Sequence, residues 1–146
     1  MSGANSMQEY ASLDTGFKNQ IASRPGGEKV QNCYLCGTCT AGCPVSSLYD
    51  DYNPRRFMRM ILLGMKEDVL SSPEIWQCSQ CHICVAHCPQ DVRFADIVRV
   101  LRNMAVEEGY IPESILKEIE SIDIDLKKQR IMKVKELTSE KMHKQK

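Results

Sequence analysis

CYLCGTCTAGCPV, residues 33–45, and CSQCHICVAHCPQ, residues 78–90, place their cysteines at the same spacing. Together they contain all eight cysteines of the 146-residue chain. The first motif is Cys33, Cys36, Cys39 and Cys43; the second motif is Cys78, Cys81, Cys84 and Cys88. Each position recurs 45 residues later, and a proline follows the last cysteine both times, at Pro44 and Pro89. The sequence therefore predicts a binding site that occurs twice.

The pattern C-x2-C-x2-C-x3-C-P is typical of bacterial ferredoxins with two [4Fe–4S] clusters. Three thiolates spaced by two residues let one tight loop cover a face of a four-iron cube, with backbone N–H groups directed at its sulfides. The proline then turns the chain away, and the fourth thiolate reaches the other cluster. The predicted ligands are Cys33, Cys36, Cys39 and Cys88 for cluster 1, and Cys43, Cys78, Cys81 and Cys84 for cluster 2. No catalytic residue is predicted.

Other uses of these cysteines fit the pattern less well. A structural zinc site would need paired CxxC units or a CxxC with two histidines. A disulfide framework suits an oxidising compartment. His82 and His87 lie within the second motif, but its four cysteine positions are filled, so we expect both to be loop residues. Gly37 and Gly42 are expected to permit a positive φ or close backbone approach.

The composition and the overall charge of the chain do not indicate a particular class of protein. It has 19 basic and 19 acidic residues, but residues 126–146 carry a net charge of +6 and the remainder −6. The basic tail could dock on an anionic surface or be a solvated, frayed terminus. The opening MSGANSMQEYASLDTG has no secretory pattern, and the longest apolar run, within Phe57–Met65, is far too short for a membrane span. We therefore expect a cytoplasmic protein with reduced thiols.

Helix signals surround both motifs. Asn53 and Pro54 predict a helix start and Gly64 its end, with Arg55, Arg56 and Arg59 facing solvent. The apolar stripe of this helix is predicted to be Phe57, Met60, Ile61 and Leu63. A second helical stripe, ending at Gly109, is Ile97, Val98, Leu101, Met104 and Ala105. The apolar stripes and Trp76 are interpreted as packed residues. Ser72–Pro73 predicts a short turn, and Pro112 a last helix with Ile115, Leu116 and Ile119.

The predicted fold class is all-α, with the cysteine loops between helices. We expect a loosely ordered lead-in over residues 1–27 that has room for one helical segment, a cluster domain over 28–110, and a C-terminal helix with a basic tail over 111–146.

Three stretches carry a family resemblance: YNPRRFMRMILLG, IWQCSQCHICVAHCPQDV and ADIVRVLRNMA. Over residues 28–110 the chain resembles the α-helical ferredoxin domain, and within that group the C subunit of heterodisulfide reductase. The resemblance implies an electron relay in the anaerobic chemistry of methanogenesis, from a flavin-containing A subunit to a catalytic B subunit. In that family, the B subunit has CCG motifs and reduces the disulfide of coenzyme M and coenzyme B, or a related disulfide. This chain has neither a CCG motif nor a glycine-rich dinucleotide fingerprint. The resemblance therefore implies a non-catalytic subunit of the form without a membrane span.

Two other functions remain open. One is a free two-cluster ferredoxin, or the iron–sulfur subunit of another oxidoreductase such as a fumarate reductase-like enzyme. The other is a redox-sensing or zinc-dependent regulator of nucleic acid. The second is disfavoured because the basic tail has no interleaved aromatic residues and no recognition helix.

Overall fold

The computed structural model describes residues 13–143, and the regular structure in this range is entirely helical. The helices are α1 Phe17–Ala22, α2 Thr38–Ala41, α3 Pro54–Leu63, α4 Lys66–Leu70, α5 Ile83–Ala86, α6 Phe94–Glu107 and α7 Ser114–His143. Short 3-10 turns lie at Val30–Asn32 and Pro73–Gln77. The predicted all-α fold class is confirmed. The chain divides into two compact units, one ending at Tyr110 and one starting at Ile111.

Helix α6 is the centre of the first unit. It packs against α1, α4, α5 and the 3-10 turn at Pro73–Gln77. Its predicted stripe is buried throughout, at Ile97, Val98, Leu101, Met104 and Ala105. The helix ends as predicted, with Gly109 at φ +79°. Helix α6 lies against the segments before and after the second motif. Its packing therefore fixes the positions of both segments.

Helix α3 begins at Pro54, after the predicted N-cap. The Asn53 side chain accepts a hydrogen bond from the backbone N–H of Arg56 at 3.0 Å. The arginines of this helix are exposed as predicted, but its apolar face is rotated from the prediction. Met58 is buried, whereas Leu63 is 50% exposed. At about 3.6 residues per turn, Leu63 lies on the side of the helix opposite the buried Phe57, Met58 and Ile61.

The segment predicted as a loosely ordered lead-in includes helix α1. Phe17 and Ile21 are fully buried, and α1 packs against α3, α6 and the turn at Val30–Asn32. From residue 13 onward, the lead-in therefore contributes to the core. Residues 1–12 lie outside the described part of the chain.

Gly64 joins α1 and α3 through a close approach that only glycine permits. Its φ is +79°, and a Cβ atom there would lie 2.3 Å from the carbonyl oxygen of Asp14. The backbone N–H of Asp14 also donates to the Gly64 carbonyl at 2.8 Å. Gly64, which ends α3, therefore also packs against Asp14, just before the start of α1.

We expect Gly64→Ala to destabilise the protein strongly. Positive φ costs an alanine about 1–2 kcal/mol, and the clash with Asp14 adds about 1–3 kcal/mol. Gly109→Ala is the matched control, because Gly109 has the same φ but no atom within 4 Å of the added Cβ. Chemical denaturation of both variants measures the difference. Equal losses of unfolding free energy would contradict the packing role of Gly64.

Helix α7 extends through the part of the basic tail that the structure describes. Residues 126–143 are helical, so the frayed terminus considered from the sequence is wrong for this range. Side chains from Lys127 to Ser139 are exposed, whereas Ile115, Leu116 and Ile119 are half-buried. Residues 144–146 lie outside the described range. No helix within residues 13–143 is long and apolar enough to cross a membrane.

Candidate metal centre

The two cysteine motifs adopt the same backbone conformation. Leu35 and Gly37 in the first motif have positive φ, and so do Gln80 and His82 at the equivalent positions of the second. Helices α2 and α5 follow at the same offset of 45 residues, and they pack against each other. In both motifs, residues with positive φ alternate with residues with negative φ. This alternation turns successive backbone N–H groups toward one side of the loop, which favours binding of an anionic group there. The sequence repeat is therefore also a structural repeat.

The last cysteine of the first motif lies with the second motif. A small cavity is lined by Cys39, Cys43, Cys78, Cys81 and Cys84. The charges of Cys78, Cys43 and Cys84 also act together on the Tyr52 hydroxyl in its wall. Cys43 of the first motif therefore lines the same cavity as Cys78, Cys81 and Cys84. Cys39 contributes to the same wall, so the two groups of thiols are adjacent.

The last cysteine of the second motif lies with the first motif. Burial raises the pKa of the Cys33 thiol, and the nearby charges of Cys88 and Cys36 raise it further. The flanking segments meet as well, because Lys29, just before the first motif, forms an ion pair with Asp91, just after the second. This ion pair is exposed and contributes little to stability, but it marks the crossing of the two segments.

Donor groups surround the sulfur atoms. The backbone N–H groups of Leu35 and Val92 donate to Cys33 Sγ at 3.4 Å and Cys88 Sγ at 3.3 Å. Gln80 Nε2 donates to Cys78 Sγ at 3.4 Å. The Thr38 hydroxyl lies 3.3 Å from Cys36 Sγ. Hydrogen bonds to sulfur stabilise thiolate charge and are one of the means by which proteins set cluster potentials.

Burial affects the thiols unequally. It raises the pKa of Cys33 and Cys39, and raises that of Cys84 to about 11. The hydrogen bond with Thr38 lowers the pKa of Cys36, and Cys36 and Cys81, at equivalent positions of the two motifs, are exposed. The buried thiols are protonated at neutral pH without metal, so metal binding there must release protons.

The other residues singled out from the sequence have minor roles in this geometry. His82 and His87 are exposed residues that flank α5 as its N-cap and C-cap. Gly37 has a φ of +88° as expected, whereas Gly42 has an ordinary φ of −92° and lies near Ile83. Trp76 is half-buried, with the Arg102 guanidinium 5.6 Å from the centre of its ring.

Sequence reasoning missed two residues beside the second motif. Arg102 is buried in α6 and donates to the carbonyls of Ile75, Trp76 and Cys78 at 2.8–3.0 Å. These bonds hold the 3-10 turn Pro73–Gln77, which leads into the motif. Tyr52 is 1% exposed and lies in the wall of the thiol cavity. A polar residue within the apolar pattern of α6 was the available signal for Arg102, whereas no sequence signal distinguished Tyr52 from a core tyrosine.

The donor set fits four-iron clusters better than its alternatives. All eight cysteines are free thiols. Within residues 13–143, no three His, Cys, Asp or Glu side chains converge closely enough to hold a single metal ion. Zinc requires its ligands to meet around one ion, about 2.3 Å from each sulfur. Each [4Fe–4S] cluster takes four thiolates, so the eight free thiols match two clusters.

Comparison with known families agrees with this geometry. Residues 29–93 match the 4Fe–4S dicluster domain family. This segment is a 4Fe–4S dicluster domain. It contains all eight cysteines, and two [4Fe–4S] clusters are the cofactors that fit it. The dicluster domain supports a role in electron transfer.

The chain is similar to C subunits of heterodisulfide reductases. The C2 subunit of the H2/formate:CoB–CoM heterodisulfide,ferredoxin reductase of Methanococcus maripaludis is 38% identical over 110 residues, covering 70% of this chain and 59% of the relative. The C 2 iron–sulfur subunit of the CoB–CoM heterodisulfide reductase of Methanocaldococcus jannaschii is 43% identical over 82 residues, covering 56% and 43%. The corresponding C subunit of Methanopyrus kandleri is 41% identical over 85 residues, covering 58% and 44%. The chain therefore spans about half the length of these relatives.

Proposed function

We propose that this chain is the electron-relay subunit of a heterodisulfide reductase-type complex. The observation that carries the proposal is the placement of one exposed cysteine in each thiol group, Cys36 in the first and Cys81 in the second. The other cysteines are less exposed, and Cys39 and Cys84 lie close enough for their charges to interact. Each cluster would therefore have one edge near solvent and one edge toward its neighbour. This arrangement suits uptake of an electron at one surface and release at another.

The proposed ligands follow the grouping of the thiols. Cluster 1 would be bound by Cys33, Cys36, Cys39 and Cys88, and cluster 2 by Cys43, Cys78, Cys81 and Cys84. Bound there, each cluster supplies one-electron redox chemistry. The chain supplies the thiolates, the N–H donors of Leu35 and Val92, and the Arg102 bonds that hold the segment before Cys78.

The proposed partners are a flavin-containing subunit, together with a CCG-motif catalytic subunit, within the cytoplasm. The names of the relatives support a complex of this type. Two clusters with eight thiolates add a charge of about −4 when oxidised, and residues 1–110 carry −2 by residue count. The negative cluster unit and the basic end of the chain, residues 126–146, give it two oppositely charged docking regions, which favours oriented association.

The test is anaerobic isolation of the tagged chain from cells that express its candidate partners. We expect about eight iron and eight sulfide per chain, and co-purification of the flavin and CCG-motif subunits. The complex should reduce a disulfide of the coenzyme M–coenzyme B type. The isolated holoprotein should exchange electrons with viologen dyes but reduce no disulfide, because no catalytic group accompanies its clusters.

The outcomes separate the alternatives. A monomer with eight iron that binds neither partner would favour a free ferredoxin. Bound zinc without sulfide would overturn the cluster assignment. Disulfide reduction by the isolated chain would overturn the relay.

A further inference from the structure

Three arginines of helix α3 form a basic face on the first compact unit. Arg55, Arg56 and Arg59 are exposed and lie within about 100° of one another around the helix axis. Within residues 13–143, no ion pair or side-chain hydrogen bond involves their guanidinium groups. The other arginines of the unit all bond to carboxylate or carbonyl oxygens: Arg24, Arg93, Arg99 and Arg102. The three charges of α3 are therefore available to a partner.

The basic face adjoins the first cysteine motif. The backbone N–H of Arg55 donates to the hydroxyl of Thr40, the residue after Cys39, at 2.9 Å. A Cβ atom at Gly37 would lie 3.4 Å from Arg55 Cδ, so the Arg55 side chain passes beside the residue that follows Cys36. Because Cys36 is an exposed thiol, the basic face borders the part of the first thiol group that is open to solvent.

A groove of about 580 Å³ continues from the basic face. Arg56 and Arg59 line it together with the apolar side chains of Met60 and Leu63. Its lining also includes three carboxylates: Asp51, Asp68 and Glu74. A membrane surface or a nucleic acid presents a continuous array of phosphates, which these carboxylates would repel. A protein can instead place single carboxylates against arginines, and arginine and methionine are enriched in the cores of protein interfaces. The groove therefore favours a protein partner.

We propose that the face formed by Arg55, Arg56 and Arg59 is the docking surface for an acidic patch on the subunit that exchanges electrons with cluster 1. The proposal rests on the proposed function, which supplies the cluster and the partner subunit. Guanidinium groups remain charged and bind carboxylates through two parallel hydrogen bonds. Since Arg55 lies beside Gly37, carboxylates bound to this face hold the partner against the exposed edge at Cys36.

The test measures binding of the full-length holoprotein to the flavin subunit and to the CCG-motif subunit, each purified separately. The variant Arg55→Gln/Arg56→Gln/Arg59→Gln should bind one of the two subunits about tenfold more weakly at low salt, mainly through slower association. Its affinity for the other subunit should be unchanged. The affinity of the wild-type protein should fall as salt is added, whereas that of the variant should change less, because salt screens exposed charges.

Lys18→Gln is the matched control for the loss of one charge. Lys18 lies on α1 of the same unit, and within residues 13–143 it forms no ion pair. Lys18→Gln should leave both affinities unchanged, whereas Arg59→Gln should weaken binding to one subunit about threefold. Replacing the three arginines by lysine should keep the salt dependence but not the full affinity, because an ammonium group cannot form the paired hydrogen bonds.

The iron content of the variants shows whether their clusters are intact. If the triple variant binds fewer than eight iron, Arg56→Gln/Arg59→Gln decides the question, since it leaves the Arg55 contact with the first motif in place. Unchanged affinity for both subunits, or an equal loss for both, would overturn the docking role and leave the proposed function intact. Arginine-dependent binding only to phosphatidylglycerol vesicles or to duplex DNA would also overturn it. A wild-type holoprotein that binds neither subunit would instead overturn the proposed function.

Discussion

Cys43→Ser is expected to lose cluster 2 and retain cluster 1, although Cys43 belongs to the first motif. The physical reason is the position of Cys43 in the cavity lined by Cys78, Cys81 and Cys84. Serine is a poor ligand for the soft iron–sulfur unit compared with thiolate. Iron content should fall from about eight to about four per chain. Cys88→Ser should give the same iron content by losing cluster 1.

Thiol alkylation of the native protein, read by mass spectrometry, distinguishes the two variants. In Cys43→Ser, Cys78, Cys81 and Cys84 should become reactive, while the ligands of cluster 1 stay protected. In Cys88→Ser the reactive set should be Cys33, Cys36 and Cys39. Each variant is the control for the other, because both remove the fourth cysteine of a motif. Reactivity confined to the motif that carries the mutation would contradict the exchange of ligands between motifs.

Anaerobic removal of iron and sulfide is expected to unfold most of the first compact unit. Without thiolate–iron bonds, Leu35, Gln80 and His82 must hold positive φ at a cost of about 1–2 kcal/mol each. Metal–thiolate sites in small domains contribute about 10–16 kcal/mol, which is comparable with the whole stability of a typical domain, about 5–15 kcal/mol. The cluster-free chain should therefore retain little of the buried packing around α6.

Circular dichroism and limited proteolysis measure this loss. Helicity should fall on removal of the clusters, and new cleavage sites should lie within residues 30–45 and 75–92. Anaerobic reconstitution with iron and sulfide is the control and should restore both properties, whereas zinc alone should not. A cluster-free protein that resists protease and keeps its helicity would show that the helices fold without the clusters.

The sequence by itself determined the features that depend on local spacing. Three features could be predicted in this way: the two cysteine loops, the ends of α3 at Asn53 and Gly64, and the buried stripe of α6. A loop, a helix cap or a helical face is specified by residues that are close in the chain. The spacing within the two motifs was therefore sufficient to predict the cofactor class. The ligand exchange through Cys43 and Cys88 was also predicted, but only because this spacing is already known to exchange its fourth cysteine.

The tertiary structure alone decided which distant residues meet. It buried Phe17 and Ile21 of the supposed lead-in, because α3 and α6 leave apolar surface there for α1 to cover. It exposed Leu63 and buried Met58, because the side of α3 that packs inward carries Phe57, Met58 and Ile61, and Leu63 lies on the opposite side. It placed Tyr52 and Arg102, 50 residues apart in the chain, beside the same second motif. A side chain's neighbours across a packed interface depend on how the helices are oriented, and local sequence patterns carry little information about that orientation.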